Sequence, residues 1–413
     1  MLSAAATGDW PRHARNLYLV AMAMFLITVG IGIVNGLDLV DFSPPEMRNT
    51  LLTHVHSGTL GWISLSIIAT TMWLARSGDR RLAWAFAIMI PVYVAAFYSG
   101  YYPARAIAGV LLLLAILWAF VWAWQIARAD PSFPKLSVAL GLTTFAVGAI
   151  IGVLIQIQGA TGALIFPGTA DPVGAHASTM VFSYLVLVAM GLIEWQLRGT
   201  MDRPRGALVQ VGALFVGGAL LIVTLLFLGQ EAVQAVGGVY LLFELVAVVL
   251  FAVRILPLAF SASWMEAGPR RHIATAALFV VAAMVLFMYF VFRFITAPQP
   301  VDFASLPIGI LVASDHTTFI GVMTNLTFAM ALRLSWDRRD VWPWADQVFY
   351  WMMNAGLVIF LVGLAGDLAV VKRVGAPLMG VGILLGLATV AMRLWRSKLQ
   401  VEPDMAASTR TYG

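Results

Sequence analysis

The sequence predicts an all-α integral membrane protein with about twelve transmembrane helices. Three observations carry this. Charged residues are only 11% of the 413 positions, whereas apolar residues are 61%; a soluble domain carries roughly a quarter charged residues. The mean hydropathy is +0.90. The apolar residues also come in long unbroken runs and not in period-two alternation, which excludes a β-barrel. The same numbers exclude a soluble enzyme, a disordered chain and a nucleic-acid-binding module. The lipid bilayer is the expected partner.

The elements follow in order, each run long enough to cross a bilayer of roughly 20 residues' span. Residues 1–15 hold Asp9, Arg12, His13 and Arg15 without an apolar core, so they predict a cytoplasmic segment and not a cleavable signal. The first run covers 16–36 and the second 52–75, separated by the Pro-rich stretch 41–45. After the polar stretch 77–81 come runs at 82–102 and 104–128. Pro131 and Pro134 precede the fifth, 135–157, and the sixth spans 173–198. The stretch 202–205 separates it from runs at 206–228 and 232–256. Four more follow at 273–297, 309–333, 346–366 and 375–397, and a polar tail closes the chain over 398–413. No soluble domain fits between them, so 16–397 is one membrane domain. Alternate loops, counted with both termini, hold 20 of the 25 basic residues. Basic residues accumulate on the cytoplasmic side, so both termini are expected there. The net charge of +5 has the same source. The expected location is the inner membrane of a prokaryote.

There is no cysteine, so disulfides, iron–sulfur clusters and covalently attached haem are excluded. His is then the main metal ligand, and there are six. His13 and His272 stand beside arginines and read as headgroup-facing surface. The other four differ. His54 and His56 open the second run, in Thr53-His54-Val55-His56-Ser57-Gly58. His176 is near the start of the sixth, and His316 is early in the tenth. All three runs enter from the same side, so the four imidazoles form one layer in the outer third of the membrane. An ionisable side chain in a span is costly and faces the bundle interior. Hydrogen-bonded packing explains a single such His; four at one depth suggest ligands for haem iron or copper. His56 and His176 are 120 residues apart, and His176 and His316 are 140 apart. Every fourth helix thus carries one, as three four-helix units about a pseudo-threefold axis would. His54 and His56 lie about 200° apart on a helix and cannot chelate one ion. One should face the bundle gap, and the other a second site or a neighbour.

Other polar groups stand near this layer. Glu244 is mid-span in the eighth run, as a structural hydrogen-bonding group or a proton-handling one. Glu194 and Arg254 lie near helix ends and can snorkel. Asp315 reads as a cap or pore residue. Lys372 and Arg373, in the expected outer loop before the last run, and Arg293, at the outer end of the ninth, are candidate anchors for carboxylates.

Twelve spans with His in the second, sixth and tenth resemble the haem–copper oxidase subunit I superfamily. Within it the sequence resembles NnrS, a family of haem- and copper-containing membrane proteins linked to nitric oxide. The resemblance rests on His54-Val55-His56-Ser57-Gly58-Thr59-Leu60-Gly61, on His316, Gly321 and Arg333 in a late helix, and on Lys372-Arg373, placed like a propionate-binding pair. It implies an oxidase-like bundle and haem b with His54 or His56 and His316 as axial ligands. His176 would be a second metal or haem ligand, Lys372, Arg373 and Arg293 would be propionate contacts, and copper is left open. A small gas or redox ligand and other respiratory subunits are the implied partners, in nitric oxide metabolism or respiratory electron transfer. Whether the chain is an enzyme is left open; if so, it would be a haem-dependent respiratory oxidoreductase. The departures from the oxidases are clear. The seventh run has no His, and Met323 and Asn325 stand where the oxidases place helix-ten His residues. No His–Tyr crosslink motif accompanies His176, although Tyr184 lies two turns on. Oxygen reduction is therefore not expected. Two other readings remain: a proton-coupled secondary transporter using Glu244, and an assembly or sensor protein without catalysis.

Overall fold

The computed structural model describes residues 9–40, 44, 47–298 and 301–399. Residues 1–8, 41–43, 45–46 and 299–300, and those beyond 399, with Arg410, lie outside the described residues. Among the described residues, twelve helices are long and apolar enough to cross a membrane. We label them α1 (Trp10–Gly36), α2 (Arg48–Ala75), α3 (Arg80–Tyr98), α4 (Tyr102–Ala129), α5 (Phe133–Thr161), α6 (Pro172–Arg198), α7 (Arg205–Leu228), α8 (Glu231–Phe260), α9 (Pro269–Ile295), α10 (Ile308–Leu334), α11 (Ala345–Ala365) and α12 (Ala369–Arg396). No strand occurs among the described residues. The expected protein class and helix count therefore hold.

The bundle is built around α2, α6 and α10. In their central windows 89, 83 and 94% of residues are buried, against 33–61% in the other nine. The same three have hydropathies of 1.3, 1.8 and 1.2, and α2 and α10 are the two lowest of the twelve. The physical reason is that a helix surrounded by protein need not be lipid-soluble, so it can carry Ser and Thr that bond to its own backbone. Thr70 and Thr71 donate to the carbonyls of Ser66 and Ile67, and Thr317 to that of Ala313. The Trp62 indole on α2 donates to Thr324 on α10 at 2.9 Å and stacks on Phe25 of α1 at 4.6 Å. Each inner helix widens into a π-helical turn just after its histidine, over Ser57–Ser64, Thr179–Leu185 and Thr317–Thr324. Such turns concentrate at functional sites.

Several expectations about helix ends are corrected. Lys372 and Arg373 are not in a loop; they are the fourth and fifth residues of α12, which begins at Ala369. Hydropathy trims a helix at its first charges, although long cationic side chains can reach the interface from inside it. His272 is not at the surface but 1% exposed, its Nδ1 2.8 Å from the Asn325 side-chain oxygen and its ring stacked on Phe349. His13 is half-buried at the start of α1. Glu194 and Arg254 do not snorkel apart: they form an ion pair, and Arg254 also donates to Gln210 at 2.8 Å.

Candidate functional site

Four histidines lie at the end of the bundle away from Trp10 and Arg396. Each is part-buried, and each has its Nδ1 on a backbone carbonyl. His54 reaches across to the Thr28 carbonyl of α1 at 2.8 Å, and His176 to the Gly148 carbonyl of α5 at 2.8 Å. His56 and His316 bond one turn back on their own helices, to Leu52 at 2.7 Å and Val312 at 2.9 Å. A carbonyl oxygen only accepts, so each Nδ1 carries the proton and each Nε2 keeps its lone pair. Fixing the tautomer and ring angle in this way is what supports a metal-ligating imidazole. His272 has the same tie but to a side-chain amide, and it lies elsewhere, enclosed by aromatic rings.

His54 and His316 line one cavity of about 530 Å³ between α1, α2, α10, α11 and α12. That volume is within the roughly 300–1,000 Å³ of small-molecule and cofactor pockets. Its walls are mostly apolar, including Phe25, Trp62 and Phe360. Gly32 lets the His54 ring approach the α1 backbone: a Cβ there would meet its Cε1 at 3.1 Å. Phe360 meets the His316 ring edge-on at 5.1 Å. Lys372 lines the cavity and reaches Asp367 at 3.3 Å. Arg373 is exposed and donates to Asp38, itself a wall residue, at 2.8 Å. Asp315 is a wall residue beside His316.

The other candidate residues are not brought to this cavity. Arg293 is exposed on α9 and donates to Tyr289 at 3.2 Å. His56 faces away from it, stacked on Phe97 of α3 at 3.9 Å, with His176 and Arg105 as ionisable neighbours. Glu244 lies in a third sector of the bundle. Its Oε1 accepts from Tyr240 at 2.7 Å and its Oε2 is buried without a partner. Beside it Phe182 and Phe287 stack at 3.3 Å and pack with Tyr240.

Two groups were missed by sequence reasoning. Arg105, 3% exposed, is one of the five basic residues outside the loops expected on the cytoplasmic side, and nothing in its sequence surroundings marks it as buried. The glycines and carbonyls of α1 and α5 that seat the imidazoles carry no sequence signal by themselves, since their partners lie 26 and 28 residues away.

The donor set decides what the cavity suits. Among the described residues no three His, Asp or Glu side chains come together to hold a metal ion. A copper centre of several protein ligands therefore does not fit them. A haem asks the protein for axial imidazoles, an apolar enclosure and a cation for its carboxylates, and residues of these types, His54, His316 and Lys372 among apolar neighbours, line the cavity. No protein-family model matches the chain, and no curated protein is detectably similar to it.

Proposed function

We propose that this chain is a haem-binding inner-membrane protein of the haem–copper oxidase subunit I-like type, akin to NnrS, acting in nitric oxide metabolism or respiratory electron transfer. The observation that carries the reading is the pair His54 and His316 on one cavity, each with Nδ1 tied to a carbonyl. His54 and His316 would be the axial ligands, and Lys372 would hold a propionate at the mouth. When bound, haem b supplies one-electron redox chemistry at iron; the chain supplies the tautomer, the burial and the cation. A transporter working through Glu244 has less support, because that carboxylate sits among packed aromatic rings.

The full chain purified in detergent is expected to show a Soret band and, after dithionite, the α-band of a b-type haem. A colourless protein retaining no added haemin would remove this reading and return Glu244 to the front.

The topology is tested separately. Reporters fused after Thr200 and after Gly413 should report cytoplasm, and one at Thr169 the opposite side. The reverse pattern would place the four imidazoles at the cytoplasmic face and break the likeness to NnrS.

A further inference from the structure

We propose that the bundle carries a second haem site, between α2 and α6, with His56 and His176 as its axial ligands and Arg105 as its propionate anchor. The inference rests on the haem reading above and extends it.

Its basis is an internal repetition in the fold. Advance every helix of the first site by four: α1 becomes α5, α2 becomes α6, α10 becomes α2, α11 becomes α3 and α12 becomes α4. Each feature of the first site then finds a counterpart. His54 of α2 bonds to a carbonyl on the preceding helix, and His176 of α6 does the same at the same length. The acceptors are Thr28 and Gly148, and four residues beyond each stands a glycine against the imidazole. A Cβ at Gly32 would meet His54 Cε1 at 3.1 Å, and one at Gly152 would meet His176 Cε1 at 2.8 Å. His316 of α10 bonds one turn back on its own helix just before the π-helical turn, and His56 of α2 does likewise. So each pair combines one imidazole anchored across helices with one anchored on its own.

The surroundings repeat too. Lys372 is the fourth residue of α12, and Arg105 is the fourth residue of α4. Phe360 of α11 packs on His316, and Phe97 of α3 packs on His56. Arg105 is buried yet its hydrogen-bond partners are neutral, the Phe97 carbonyl and the Asn49 side-chain oxygen at 2.7 Å. A buried guanidinium held by neutral acceptors retains its charge for an anion. A lone transition-metal ion would leave that cation opposed, whereas haem propionates would match it. The third sector, reached by advancing four helices again, has no such pair; there Phe182, Phe287 and Tyr240 fill the space. The two histidines two residues apart on α2 thus serve opposite faces, one per site.

The test is the haem-to-polypeptide ratio of the full chain in detergent, by pyridine haemochrome and protein assay, with copper measured on the same samples. The wild type should hold two haems, and two variants, His316→Ala and His176→Ala, should each hold one. The haem kept by each should differ in reduced α-band position or midpoint potential. Should His176→Ala lose both, His176→Gly with added imidazole distinguishes collapse from ligation: the ratio returns to two if His176 is a ligand. Arg105→Gln should release the second haem more readily while the first stays. One haem in the wild type, lost in His316→Ala and kept in His176→Ala, overturns the second site and leaves the proposed function standing. One haem with one copper that follows His176 also overturns it. A wild type without haem overturns both.

Discussion

If the proposed haem lies between α2 and α10, His316→Ala is expected to abolish its spectrum, with His54→Ala having the same effect. No other residue on α10 offers a comparable donor on the cavity wall, since Asp315 is a hard oxygen ligand and Val312 and Phe319 have no donor. His56→Ala should leave that haem in place, because His56 faces α3 and stacks on Phe97. The loss should be close to complete for the axial ligands. It should be partial for Lys372→Ala, which removes a charge-assisted contact at the mouth but neither iron bond. Absorption spectra of the purified variants read all four outcomes. Unchanged oxidised and reduced spectra in His316→Ala would remove His316 from the ligand set, whatever the wild type binds.

Much of this arrangement was legible in the sequence, because bilayer thickness sets helix length and lipid exposure sets composition. The twelve runs and the placing of His on the second, sixth and tenth helices follow from those two constraints. Even the inner position of α2 and α10 is written in their low hydropathy. What was not legible depends on contacts between helices. The 200° between His54 and His56 said that they part, but not that one meets His316 and the other lies beside His176. His272 follows two arginines, as a surface residue would, yet both Arg271 and His272 are 1% exposed, and His272 meets Asn325 inside the bundle. Lys372 and Arg373 read as a loop because hydropathy falls at charges, although the backbone there is already helical.

The largest stability effect is expected away from the histidines, at the end of the bundle where the chain begins and ends. Arg393 of α12 is 2% exposed, and its guanidinium donates to both carboxylate oxygens of Asp346 on α11, at 2.9 and 3.0 Å, and to the Val341 carbonyl at 2.8 and 2.9 Å. One side chain therefore ties α12 to the start of α11 and to the loop before it. Arg271 of α9 adds a bond to the Asp346 carbonyl. Removing one partner of a buried pair leaves the other charge desolvated, which costs about 3–5 kcal/mol. Arg393→Met should therefore lower the thermal midpoint of the detergent-solubilised protein sharply, followed by size-exclusion after heating. Asp346→Asn should cost less, since its amide oxygen still accepts from Arg393. The double variant Arg393→Met with Asp346→Leu should recover part of the loss, because no charge is then left unpaired. If Arg393→Met were as stable as the wild type, or the double variant less stable than either single one, the pair would not be what holds α11 and α12 at this end.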